Sequence, residues 1–278
     1  MTLNTFETIL VERRASGMWE IMLNRPEVHN AFNSQMIADL TYAFKAADKA
    51  SDCRFVLLTS NCASFCAGAD LEWMRAAANY TKAENQRDAL ALANMLHTID
   101  TCGKTTVAIA AGKVFGGGVG LVSVCDIVIG TPATKLCLSE VKLGLIPATI
   151  APFVVRTIGP RQARRYFQSA ELIDADTAHK IGLLHELVEE HQVGQTLRRI
   201  LTSLAKGSPE AQTNAKRLIS DCWQSPITDN LLKDMAERIA EVRTTSFAKE
   251  GLQAFFDKRQ PRWVNDIEET DVKISTNR

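Results

Sequence analysis

Two segments of this sequence, called the glycine segments below, contain glycine among other small residues and can bind a developing negative charge through the backbone. Residues 64–71 read Ser-Phe-Cys-Ala-Gly-Ala-Asp-Leu, and the run Gly116-Gly117-Gly118 lies within residues 112–121. Small side chains let backbone N–H groups face a ligand, and the first turn of a helix presents N–H groups without intrahelical partners. Taken alone, residues 64–71 are at least as often a simple tight turn.

A single carboxylate, Glu140, stands in the mostly apolar stretch at residues 138–147. Burial favours the neutral form of a carboxyl group, which raises its pKa and suits it to proton transfer. Taken alone, a glutamate in such a stretch is more often a surface or ion-paired residue.

Several ligand classes are disfavoured by pattern and charge. The glycine run lacks both the spacing of a dinucleotide-binding fingerprint and the Gly-Lys-Ser/Thr of a phosphate loop. The chain has 32 Lys and Arg against 32 Asp and Glu, which argues against a nucleic-acid partner. Its seven cysteines and five histidines do not show metal-ligand spacing. We therefore expect reduced, structural thiols, no metal and no nucleic acid.

Neither a membrane span nor a secretory signal is visible. The longest apolar stretch, residues 107–130, is interrupted by Lys113, Asp126 and six glycines, whereas a span needs roughly 20 apolar residues. Residues 1–11 show no basic segment followed by an apolar one. We expect a cytoplasmic protein that does not bind membranes.

The elements that must position these segments form a strand-rich first part. Apolar runs bounded by turn residues predict buried strands, and helical spacing predicts two amphipathic helices. Asn33 is the expected N-cap of the first helix. The predicted strands span residues 18–23, 54–60, 105–111 and 124–130, and the predicted helices span residues 34–49 and 81–100.

The second part of the chain shows helical spacing almost throughout, which predicts an α/β core followed by a helical extension. An apolar stripe on the longest of these helices consists of Leu231, Leu232, Met235, Ile239 and Val242. A stripe that the core need not cover is typical of an oligomerisation element. We predict a core at residues 1–200, a helical region at 201–263 and a polar tail at 264–278, frayed from Asn265 onward. The predicted helices span residues 161–169, 174–181, 193–206, 208–223, 228–244 and 249–259.

Taken in order, the two glycine segments and the Glu140 stretch resemble the crotonase (enoyl-CoA hydratase/isomerase) family. The resemblance covers residues 6–263 and includes Leu23-Asn24-Arg25-Pro26, Asn30-Ala31-Phe32 and residues 250–259. It implies a spiral of ββα turns with a C-terminal helical trimerisation region, assembled as a homotrimer or a dimer of trimers. It also implies an acyl-CoA substrate and no cofactor, because coenzyme A is part of the substrate.

The resemblance also assigns roles to single residues. The N–H groups of Ala69 and Gly117 match the family's oxyanion hole, which holds the thioester oxygen as it becomes an enolate. Glu140 matches the catalytic acid/base. Phe255 and Lys258 match positions that often reach the substrate from a neighbouring subunit. The positions implied to contact acyl-CoA are Val28, Ala67, Gly68, Ala69, Asp70, Leu71, Gly117, Gly120, Phe255 and Lys258.

The sequence departs from typical hydratases of the family at Gly120, where they carry a second glutamate. Three alternatives follow. A hydratase could use Glu140 both to orient water and to protonate C2. A Δ3,Δ2-enoyl-CoA isomerase could use it to shuttle one proton between C2 and C4. A non-catalytic paralogue, including an RNA-binding one, is the third.

Residues 137–155 favour the first alternative, because they resemble bacterial methylglutaconyl-CoA hydratases of leucine and terpenoid breakdown. Those enzymes also resemble this chain in having glycine at the position of Gly120. We expect that this glycine leaves room beside C3 for a branched or acidic acyl group.

Overall fold

A computed structural model of the protein describes residues 6–272 and contains two sheets joined by helices. The predicted α/β class is confirmed. Five of the nine strands found within residues 6–272, all of them short, were not anticipated, because runs of two to five residues carry little periodicity. The strands are β1 (Ile9–Arg13), β2 (Met18–Leu23), β3 (Phe55–Ser60), β4 (Thr105–Ala110), β5 (Lys113–Phe115), β6 (Ile127–Gly130), β7 (Lys135–Cys137), β8 (Ile173–Asp174) and β9 (Glu186–Leu187).

The larger sheet has the order β1-β2-β3-β4-β6-β9, and the smaller one has the order β5-β7-β8. β1 is antiparallel to β2, and the rest of the larger sheet is parallel. The chain passes from β4 to β5, back to β6 and on to β7, so it visits the two sheets alternately. Residues 116–118 follow β5 and Glu140 follows β7, whereas the loop at residues 64–71 follows β3 and reaches β5 through a bridge between Cys66 and Val114.

The helices cover the sheets and extend beyond them. Asn33 caps the first helix as predicted, accepting a hydrogen bond from the N–H of Met36 at 2.9 Å. The helices are α1 (Ser34–Lys49), α2 (Leu71–Ala77), α3 (Lys82–Asp100), α4 (Gly117–Ser123), α5 (Ala151–Ser169), α6 (Ala175–Lys180), α7 (Val193–Ala205), α8 (Pro209–Cys222), α9 (Asp229–Thr244) and α10 (Ser246–Phe256).

The core lies on both faces of the larger sheet, which explains why β2 is buried at every position. One face packs against α1, α3 and α4, and the other packs against α7. The predicted core boundary at residue 200 falls inside α7, and Leu201 and Ala205 beyond it are buried against the sheet. The core therefore continues to the end of α7.

One helical stretch was not anticipated, and one further expectation is corrected. α5 consists of two helical stretches separated at the non-helical Gly159, which has φ 72° and precedes Pro160. The second stretch matches the predicted helix over residues 161–169, whereas the first, which begins at Ala151, was not predicted. The chain after Asn265 is packed through Val272, because Ile267 is 5% exposed against α7 and its carbonyl accepts a hydrogen bond from Arg198. The rest of the predicted frayed tail lies outside the described residues.

The C-terminal helices are poorly covered by this chain alone. Neither α8 nor α9 contains a buried residue, and Leu232 and Ile239 of the apolar stripe are 56% and 49% exposed. The oligomer inferred from that stripe remains a prediction.

All seven cysteines are free, and five of them are buried. Burial raises the pKa of the Cys53, Cys66 and Cys125 thiols to about 12, so these are unreactive core residues. Within residues 6–272, no helix has the length and apolar composition needed to cross a bilayer.

Candidate active site

The loop that contains Ala69 is paired with the backbone of Phe32. The N–H of Phe32 donates to the carbonyl of Gly68 at 2.7 Å, and the N–H of Asp70 donates to the carbonyl of Phe32 at 2.9 Å. The carbonyl of Gly68 and the N–H of Ala69 belong to one trans peptide group, so they point in opposite directions. The N–H of Ala69 is therefore directed away from Phe32, and it has no hydrogen-bond partner within residues 6–272.

Gly117 opens α4 and offers a second N–H group. The carbonyl of Gly116 accepts from the N–H of Val119 at 2.9 Å, as at a helix start, whereas the N–H of Gly117 has no acceptor in the described part of the chain. A Cβ at position 117 would lie 2.9 Å from the ring of Phe32. Glycine is needed here because the ring packs directly on the backbone.

The two glycine segments lie side by side. The N–H of Cys66 donates to the carbonyl of Lys113 at 3.0 Å, and the N–H of Phe115 donates to the carbonyl of Cys66 at 2.9 Å. A Cβ on Gly68, which has φ 100°, would lie 3.3 Å from the carbonyl oxygen of Phe115. The structure thus brings the Ala69 loop against the start of α4, as a joint site requires.

Glu140 lies beside both segments. It begins the 3-10 helix Glu140–Leu143, just after β7, and the N–H of Gly116 donates to the carbonyl of Cys137 at the end of β7. Carboxyl Oε1 lies 3.3 Å from the position of a Cβ on Gly116. Oε2 is buried and has no hydrogen-bond partner among the described residues, and burial raises the pKa of this carboxyl group.

Asp70 has a structural role that the sequence did not reveal. Its carboxylate forms an ion pair with Arg25 at 2.8 Å and caps α2 by accepting from the N–H groups of Glu72 and Trp73. Burial alone would raise the pKa of Asp70, but the hydrogen bonds from Arg25 and from the helix start hold it below its usual value. The carboxylate of Asp70 is thus engaged within the protein, and contact of Asp70 with acyl-CoA remains a prediction.

Other expected binding positions gather around the same loop. Val28 lies in the 3-10 helix Pro26–Val28, and the N–H of Ala67 donates to the carbonyl of His29 at 3.0 Å, which holds this turn against the loop. The side chain of Leu71 is exposed at the start of α2. Contact of these residues with acyl-CoA remains a prediction.

The space expected beside Gly120 is absent. Gly120 is buried one turn into α4, and a Cβ there would lie 2.5 Å from Cγ2 of Ile150 and 3.3 Å from Cδ1 of Leu96. The expectation of room for a branched acyl group at this point is wrong, because Ile150 at the start of α5 fills it. Gly120 and Ile150 are 30 positions apart in the sequence, so no local sequence pattern could have predicted their contact.

Phe255 and Lys258 are not brought to the site by this chain. Phe255 is 77% exposed on α10, a helix that packs through Phe247 and Gly251 against Trp263. None of the hydrogen bonds, ion pairs or ring contacts among residues 6–272 joins Phe255 or Lys258 to Ala69, Gly117 or Glu140. Contact of Phe255 and Lys258 with substrate remains a prediction.

The arrangement combines two N–H groups that have no acceptor within residues 6–272 with a half-buried carboxyl group whose Oε2 is shielded from solvent. Preorganised N–H groups stabilise an oxyanion, and a carboxyl group with a raised pKa can accept a proton and return it. The site can therefore support enolate chemistry at a carbonyl group.

Comparison with known proteins agrees with this chemistry. The sequence model of the Enoyl-CoA hydratase/isomerase family matches residues 13–266. The enoyl-CoA hydratase ACTT6 of Alternaria alternata is 37% identical over 204 residues, which are 73% of this chain and 66%, just under two thirds, of that protein. The probable enoyl-CoA hydratase echA8 of Mycobacterium bovis is 31% identical over 94% of this chain and 99% of its own length.

Solved structures show the same architecture. The crystal structure of an enoyl-CoA hydratase from Shewanella pealeana superposes with a TM-score of 0.90 at 36% identity, covering 93% of this chain and 97% of that one.

Proposed function

This chain belongs to the enoyl-CoA hydratase/isomerase (crotonase) family, and on that premise we propose that it is an enoyl-CoA hydratase, which adds water across the C2=C3 double bond of an acyl-CoA thioester. The observation that carries the proposal is the buried Oε2 of Glu140, which has no hydrogen-bond partner among residues 6–272 and lies beside the glycine segments that present the N–H groups of Ala69 and Gly117. Relatives named as enoyl-CoA hydratases support the same reaction.

In this mechanism Glu140 acts first as a base and then as an acid. As its carboxylate takes a proton from water, the water oxygen bonds to C3 and the C2=C3 electron pair moves toward the thioester carbonyl. The N–H groups of Ala69 and Gly117 stabilise the enolate oxygen that results. Glu140 then gives its proton to C2, and the product is a 3-hydroxyacyl-CoA.

For the acyl group we propose a branched one, 3-methylglutaconyl-CoA of leucine catabolism. Support comes from the resemblance of residues 137–155 to methylglutaconyl-CoA hydratases. Because Ile150 fills the space beside Gly120, the branch would have to lie on another side of the site.

A Δ3,Δ2-enoyl-CoA isomerase is the second candidate, favoured by the single free carboxyl group. Isomerisation needs only one group that removes a proton at one carbon and returns it at another. Asp70, the other acid of these segments, is engaged with Arg25. A non-catalytic paralogue is disfavoured because the oxyanion elements and Glu140 lie together.

One assay series separates these functions. The purified protein is incubated with crotonyl-CoA, 3-methylglutaconyl-CoA and a 3-enoyl-CoA, and products are identified by mass spectrometry. Hydration adds the mass of water and removes the conjugated absorbance, whereas isomerisation of the 3-enoyl thioester creates that absorbance without a mass change. Isomerisation alone would replace the first proposal by the second, and no turnover of any thioester would exclude both.

We also propose that the chain assembles as a homotrimer or a dimer of trimers. The exposed stripe of α9 supports this assembly, as does the exposed Phe255, which could then reach a neighbour's site.

A further inference from the structure

Arg25 belongs to a sequence motif that the proposed mechanism does not use. Its guanidinium group donates through Nη1 to the carbonyl of Ala31 at 2.6 Å and through Nη2 to the carboxylate of Asp70 at 2.8 Å. The side chain is largely buried. One planar group therefore bridges two chain segments that are distant in sequence.

Asn30 holds the backbone of Arg25 in place. It is fully buried and has φ 57°, and its Oδ1 accepts from the N–H of Arg25 at 2.7 Å. Its Nδ2 donates to Oγ of Ser60 at 3.1 Å and to the carbonyl of Ser64 at 3.2 Å. Asn30 thus ties the Arg25 turn to both ends of the connection between β3 and the Ala69 loop.

The bridged residues flank the pairing that orients Ala69. Ala31 precedes Phe32, and Asp70 follows Ala69. The two Phe32 bonds fix the direction of the Ala69 N–H, but the methyl side chain of Ala69 cannot itself anchor the peptide. Arg25 therefore clamps the neighbours of both members of the pair.

We propose that Arg25 is a positioning residue that sets the direction of the Ala69 N–H group toward the thioester oxygen. The inference rests on the proposed function and deepens it. A displacement of about 1 Å at a catalytic group can reduce a rate on the order of 100-fold, so such a clamp can affect turnover without touching substrate. Arginine suits the position because its rigid fork reaches a carbonyl and a carboxylate at once, which the point charge of lysine cannot reproduce.

The test compares Arg25→Lys and Asp70→Asn, singly and combined, with Arg156→Lys as a matched control. Asp70→Asn keeps an oxygen to cap α2 but removes the charge. Arg156 forms a similar two-point ion pair with Asp100, between α5 and α3, outside the three site segments. We expect both single variants at the clamp to lower kcat about 10- to 100-fold with KM changed less than about threefold. The combined variant should lose little more, and the control should match the parent.

A spectroscopic readout separates positioning from simple loss of stability. Acetoacetyl-CoA ionises to an enolate with charge on the thioester oxygen, and its ultraviolet absorbance reports the enolate fraction when it is bound. Arg25→Lys should lower that fraction at a temperature where the variant is fully folded, whereas binding of saturated butyryl-CoA should be unchanged.

An unchanged kcat and enolate fraction in folded Arg25→Lys and Asp70→Asn would overturn the inference. Multiplicative effects in the combined variant would also overturn it, because the two residues would then act separately. An inactive parent protein would refute the proposed function instead, and the enolate measurement would still decide whether Arg25 positions the N–H.

Discussion

The ring of Phe32 rests on the backbone of Gly117, while the backbone of Phe32 holds the peptide that carries the N–H of Ala69. Ring carbons Cδ2 and Cε2 lie 2.9 Å from the position that a Cβ on Gly117 would occupy. One buried residue thus touches both halves of the proposed oxyanion hole.

We predict that Gly117→Ala moves Phe32 and separates the two halves. Phe32 is buried, so its ring has little freedom to withdraw, and overpacking of this kind costs roughly 1–3 kcal/mol of unfolding free energy. Turnover should fall about 10-fold or more, because the displaced Phe32 would change the spacing of the two N–H groups that are proposed to bind the oxyanion. Urea denaturation and steady-state kinetics measure the two effects. Gly194→Ala in α7, where an added Cβ meets only a backbone oxygen at 3.7 Å, should leave both near the parent values.

Glu140→Gln should lower kcat by roughly 10²–10⁴, because the amide keeps the size of the side chain but cannot accept the proton. Binding of butyryl-CoA should change little. In the parent enzyme, kcat/KM should fall on the acid side with an apparent pKa above 4.5, since burial raises the pKa of Glu140 from that value. Near-normal turnover in the variant would remove Glu140 from the mechanism.

The same substitution should change stability in a pH-dependent way. The raised pKa means that folded Glu140 holds its proton at pH values where the unfolded chain has lost it. Between the ordinary and raised values, rising pH therefore removes stability from the parent protein. The unfolding free energy of Glu140→Gln minus that of the parent should be lowest below about pH 4. This difference should rise toward neutral pH. Urea titrations over this range measure the difference, and a difference independent of pH would contradict the prediction.

Local sequence patterns predicted most of the residues of this site but not the contacts that hold them in position. Small residues after an apolar strand located the Ala69 loop, the glycine run located the start of α4, and the apolar setting of Glu140 suggested its burial. Each of these signals lies within about ten residues of sequence. The order of elements likewise predicted an α/β fold, because strands and helices differ in apolar period.

The contacts that position the site join residues far apart in sequence. Arg25 reaches Asp70 across 45 positions, and Ile150 fills the space beside Gly120 across 30. Neither residue differs locally from an ordinary turn arginine or core isoleucine. The prediction of space beside Gly120 was wrong for this reason, because the space beside a glycine depends on which distant residue packs against it.

The apolar stripe of α9 should hold subunits together. We expect light scattering to give a trimer or hexamer mass at micromolar concentration, and Ile239→Lys to shift it toward the monomer because a charge at a buried apolar contact is strongly unfavourable. Lys233→Glu tests whether any charge change on this helix has the same effect, since Lys233 lies outside the stripe. A monomer mass for the parent would contradict the assembly.

Gly120 and Ile150 form a matched pair that should resist a second carboxylate. Gly120→Glu alone places Cβ 2.5 Å from Cγ2 of the buried Ile150, so we expect a loss of roughly 1–3 kcal/mol in unfolding free energy and weaker turnover of crotonyl-CoA. Ile150→Ala removes Cγ2 and leaves Cβ at 3.1 Å, a contact that small shifts can relieve. In a double-mutant cycle, the combined variant should therefore lose less stability than the two single losses added together. In the combined variant, the introduced carboxylate should increase the rate of crotonyl-CoA hydration above that of Ile150→Ala alone. Additive stability losses would show that Ile150 does not block position 120.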